Sequence, residues 1–145
     1  MRYLMAGLIL SLSSLTAFAT NYSQDRIMQL YDFPNKGALT TGFFECLTKN
    51  QNKNPEATCL PAEVKFQDGV LAQVYNDYLG SLSSDQKAQV EKIQNAFNDY
   101  RHLRCDWYGK HVQGIAPGSV PTNKCILAMT MERRLELEQL SPSGD

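Results

Sequence analysis

Cys46, Cys59, Cys105 and Cys125 are the four cysteines of this 145-residue chain, and His102 and His111 are its two histidines. Thiols and imidazoles can ligate metal, exchange disulfides, or act as nucleophile and base. Each of those chemistries needs residues that converge. No Cys-x-x-Cys occurs, and the spacings suit no common zinc site. One histidine falls in a helical pattern and the other in a loop, with no evident nucleophile arranged beside either. The carboxylates are scattered, as solvated helix charges are. The cysteines therefore read as structural disulfides. No enzymatic activity, no cofactor and no metal are expected.

An oxidising compartment would support that reading. Residues 1–19 have the zones of an export signal: Arg2, an apolar run from Leu4 to Leu15, and Ala17-Phe18-Ala19 as a small-x-small cleavage site. The run is short of the roughly 20 residues that span a bilayer, and no later stretch is apolar enough. The mature chain is expected to begin near Thr20 and to carry no membrane span. It would then hold 126 residues with a net charge of −2, enough for one domain with one core. That balance argues against a nucleic-acid surface, which would be basic.

The periodicity is helical throughout. Residues 20–45 form an extension with a short helix at 23–33, closed by Pro34. Phe43, Phe44 and Cys46 suggest one buried turn, and 48–58 reads as a polar loop. Pro61 suits the first turn of a long helix over 62–80, with Val64, Leu71 and Tyr78 on one seam and Tyr75 and Leu82 on another. Ser83 and Gln86 resemble a capping box for a second helix over 85–107. Its stripe is Val90, Ile93, Phe97, Tyr100 and Trp107. A loop over 109–123 precedes a third helix at 122–140, capped by Thr122 or Asn123, with Ile126, Met129, Leu137 and Leu140 apolar. Residues 141–145 form a loose tail. The expected fold is all-α: an antiparallel αα-hairpin plus a third helix, stapled by two disulfides.

Antiparallel packing puts Cys59 and Cys105 at one pole, with Cys125 returning to it. Pairing Cys46 with Cys59 and Cys105 with Cys125 closes one loop per bridge and is favoured. Cys59–Cys105 with Cys46–Cys125 remains open in the same geometry.

The order of residues resembles the LprI-type lysozyme-inhibitor family over 46–140. The four cysteines carry the likeness, with Leu71, Tyr75, Gln94, Phe97, Tyr100, Arg101, Gly118, Ser119, Thr130, Arg133 and Leu137. Phe97 stands where the family usually has Trp, and His102 where it has an acidic residue. The resemblance implies a bacterial, periplasmic or secreted protein whose partner is lysozyme.

Two kinds of site follow. Arg101 and Arg133 can fix helices through carboxylates or carbonyls, or contact a partner. Tyr75, Tyr78, Phe97, Tyr100 and Trp107 are core aromatics by spacing. The glycine-rich loop with Lys110, His111, Gly118 and Ser119, tied by Cys105 and Cys125, is the candidate partner-binding element. The alternatives to lysozyme inhibition are a structural or assembly factor of the envelope, binding another envelope protein, and a small-molecule carrier.

Overall fold

Thr40 stands in an extended conformation, and its hydroxyl accepts the amide of Phe43. This cap starts the first helix in the computed structural model, which describes residues 39–112 and 119–141. The export signal, the short helix at 23–33, Gly118 and residues 142–145 lie outside the described residues. Helix α1 covers Thr41–Lys49, where one buried turn was expected. Phe43 and Leu47, four residues apart, set its buried face.

Helix α2 covers Pro55–Gly80. It begins before Pro61, the residue expected to open it. Asn54 accepts the Ala57 amide, Pro55 fills the first turn and Glu56 complements the positive helix end. Pro61 therefore sits inside the helix and removes the donor to Ala57, a solvent-exposed residue. Cys59 and Leu60, both buried, hold this early turn in place.

Helix α3 covers Ser84–Trp107 after a three-residue link. The capping box is present: the Ser83 amide and hydroxyl both donate to Gln86 Oε1. Beyond Trp107 the helix widens into a π-helical turn, Tyr108–Val112. Helix α4 covers Val120–Leu140, capped by Ser119 rather than by Thr122 or Asn123. Thr122 is buried instead. Ser141 closes α4 through its amide and hydroxyl, both onto the Leu137 carbonyl.

The described residues thus form four α-helices and no strand. They carry two disulfides, Cys46–Cys59 and Cys105–Cys125, and no free cysteine. These are the favoured pairings. Helices α2 and α3 run antiparallel, but they do not pack closely on each other. Helix α4 lies between them, with its most extensive packing on α2. It is buried around much of its circumference, through Thr122, Leu127, Met129, Thr130, Met131, Arg133, Arg134 and Leu137.

The apolar core gathers Leu39, Phe43, Leu47, Cys59, Leu60, Leu127 and Met131 where α1, α2 and α4 meet. The aromatic stripe of α3 takes no part in it. Tyr100 and Trp107 are 55% and 57% exposed, and Tyr75, Tyr78 and Phe97 are only half-buried. Gln94, Arg101 and Cys105 form the inward face of α3 instead. Leu127 is fully enclosed, so Leu127→Ala leaves a cavity. It should lower unfolding free energy by about 2–5 kcal/mol in urea melts.

Candidate functional site

A buried polar layer sets how α3 meets α4. Arg101 Nη1 donates to Asp68 Oδ1 at 2.6 Å and to the Thr130 hydroxyl. The Thr130 hydroxyl in turn donates to the Ile126 carbonyl. Seven residues earlier on α3, Gln94 Oε1 accepts Arg133 Nε at 3.0 Å, and Arg133 Nη1 pairs with Glu136. Phe97 lies between the two guanidinium groups, 5.6 Å from Arg101 and 5.5 Å from Arg133, a doubled cation–π contact.

On the other side of α4, buried Glu63 accepts from the Thr40 amide and from Gln67 Nε2. Gln67 Oε1 accepts Arg134 Nη1 at 3.0 Å. Asp68, Glu63, Gln67 and Arg134 escaped the sequence reading, because no local pattern marks a polar residue as buried. Arg101 and Arg133, at 6% and 7% exposure, are turned inward and serve the fold. Leu71, Gln94, Thr130 and Leu137 are buried with them.

The exposed groups gather at the end of α3. Trp107 and His111 stack with ring centroids 5.3 Å apart and planes 16° from parallel. His111 Nδ1 lies 3.2 Å from the Trp107 carbonyl. Lys110 and Tyr108 share this turn and face solvent, and Arg104 lies over the Tyr100 ring one turn earlier. The result is a small cationic and aromatic surface.

Its base is fixed at two points. The Cys105–Cys125 bridge joins the last turn of α3 to the first turns of α4. Gly109 is buried against Thr122, where an added Cβ would fall 2.1 Å from the Thr122 hydroxyl oxygen. Only glycine admits that approach. Ser119, placed in the binding loop by the sequence, caps α4 and supports the turn from below. Lys110 and His111 thus sit on an ordered helical extension rather than at a loop tip.

Elsewhere, Ala62, Lys65, Phe66, Gly69, Val70 and Gln73 line a shallow face of α2 that opens to solvent. Among the described residues, no three His, Cys, Asp or Glu side chains are grouped to hold a metal. No described helix is long and apolar enough to cross a membrane.

Two outcomes test these assignments. Arg101→Met removes the donor to Thr130 and leaves Asp68 without its ion pair at a half-exposed position. Stability should fall by about 1–3 kcal/mol in urea melts. The Tyr75 phenol is held above its ordinary value of 10.0, first by burial, then by Glu91, against an opposing effect of Arg133. The unfolded chain therefore loses this proton first, so the contribution of Tyr75 is full below pH 10 and fades above it. Tyr75→Phe should flatten part of the alkaline fall in melting temperature.

A family model described as "Lysozyme inhibitor LprI" matches residues 46–137. No curated protein and no solved structure matches the chain. The family match covers more than half of the chain and includes both disulfides, so the chain belongs to the LprI lysozyme-inhibitor family.

Proposed function

We propose that this member of the LprI lysozyme-inhibitor family binds and inhibits a lysozyme outside the cytoplasm, through the turn that carries Lys110 and His111. Family membership is the observation that carries the proposal. Two disulfides suit an oxidising compartment, periplasmic or secreted, as does the export signal read in residues 1–19. Nothing in this role calls for a catalytic group or a cofactor.

The chemistry of the turn suits the task. A lysozyme cleft presents two catalytic carboxylates. Lys110 offers N–H donors, His111 presents the flat ring and its Nε2 edge, and Arg104 adds charge one turn away. Trp107 and Tyr108 offer flat apolar area beside them, the composition that dominates binding hot spots. The bridge and Gly109 hold the turn before any partner arrives, which lowers the ordering cost of association.

The paired substitutions Lys110→Ala and His111→Ala should leave thermal stability within about 0.5 kcal/mol. Inhibition of cell-wall lysis should weaken at least tenfold, about 1.4 kcal/mol of binding. A folded double variant that inhibits as well as the wild type moves the contact elsewhere. A wild type that binds neither C-type nor G-type lysozyme removes the inhibitor reading in favour of an envelope assembly factor.

A further inference from the structure

Helix α3 has two faces, and the more apolar one is turned away from the bundle. Ile93, Ala96, Tyr100, Leu103 and Trp107 follow alternating steps of three and four residues. That is the a/d seam of a coiled coil. Every one of them is exposed, with Ile93 at 54%, Leu103 at 72% and Trp107 at 57%. Gln89, four residues before Ile93, ends the seam with a polar tip on a methylene stem. The inward residues Gln94, Arg101 and Cys105 lie on nearly the opposite side of the helix. The other end of the seam is Trp107, where regular α-helical geometry also ends.

We propose that this outer face of α3 is a self-association surface, on which the α3 of a second copy packs antiparallel. The sizes of the seam residues support that partner and that direction. In an antiparallel pair each a position lies beside a d position of the other helix. Aligned about the level of residue 98, Tyr100 meets the partner's Ala96, and Ile93 meets the partner's Leu103. The large ring thus faces the smallest seam residue, and two aliphatic side chains fill the next layer. At each end Trp107 covers the stem of the partner's Gln89, whose amide reaches water at the rim. A parallel pair would set Trp107 on the partner's Trp107 and Tyr100 on the partner's Tyr100, and would leave the Ala96 layer hollow. Both overpacking and voids destabilise an interface.

Charge supports the same alignment at the flanks. The antiparallel register brings Lys92 of each copy beside the partner's Asp106. It also brings the two Asp99 carboxylates towards each other across the axis of the pair, a repulsion that keeps the association weak. All four large seam residues are more than half exposed, so each has surface to contribute to the roughly 1,000 Å² that a specific interface must clear over both copies. The two Trp107 residues would lie about 27 Å apart along the pair. A dimer would thus carry its two Lys110–His111 turns at opposite ends. The inference does not rest on lysozyme binding and is measured without lysozyme.

Sedimentation equilibrium of the mature chain, followed from low micromolar to millimolar concentration, tests it. The apparent mass should double, with a matching blue shift in the emission of Trp107, the chain's single tryptophan. Leu103→Glu should keep the monomer's helical content and lower association at least tenfold. Lys92→Glu should weaken the dimer several-fold, and adding Asp106→Lys should restore it. Asp99→Asn should tighten it. A wild type that stays monomeric at millimolar concentration overturns the proposal. So does a dimer indifferent to Leu103→Glu, a charge swap that restores nothing, or an Asp99→Asn variant that associates no better than the wild type. If the monomer's Trp107 becomes quenchable by iodide only after residues 20–38 are deleted, that segment is the occupant, and the proposal is again overturned.

Discussion

Arg101 joins α3 to the rest of the bundle with one guanidinium nitrogen shared between Thr130 on α4 and Asp68 on α2. A buried cation without a partner is far more costly than an exposed apolar side chain. The face of α3 that carries Arg101 must therefore turn inward, whatever its apolar content. Gln94, one heptad earlier, and Cys105, one turn later, lie on the same face and fix it at both ends. Ile93, Tyr100, Leu103 and Trp107 are left outside as a direct result. The polar layer inside the molecule decides which surface the molecule offers.

Much of the helix plan was legible because local chemistry marks helix ends. The Ser83–Gln86 pair opens α3 where it was expected, and Ser81, just after Gly80, closes α2 through the Tyr78 carbonyl. The disulfides were legible because each closes a single loop. Pro61 misled because a proline after a polar run resembles a helix start. The stronger start lay at Asn54-Pro55, where cap and proline act together. The face of α3 was misread for a different reason. Periodicity reports that apolar residues share a side, and it cannot report which side turns in. That choice depends on partners 29 and 33 residues from Arg101. At the candidate site, Lys110 and His111 could be picked out by type. Their support could not, since it needs the π-helical turn and the close approach of Gly109 to Thr122.

The two positions that depart from the family pattern now have physical settings. Phe97 lies between two guanidinium groups, where an aromatic face is what the site uses. Phenylalanine supplies that face without the indole N–H, so no buried donor is left to satisfy. His102 is exposed on α3, away from the Arg101 and Arg133 contacts. Replacing an acidic residue there leaves the buried layer intact.

Helix α4 is the last helix in the described chain, yet it fills the centre of the bundle. A polypeptide emerging from its N-terminus has α1, α2 and α3 available before their shared neighbour exists. Gln67 reaches Arg134, and Arg101 reaches Thr130, only once α4 has arrived. Contacts so distant in sequence form late and slowly. Until α4 has been made, the nascent chain thus remains an open, unfinished bundle. Helix α4 is the keystone, and a chain cut short before it would lack the element that closes the structure.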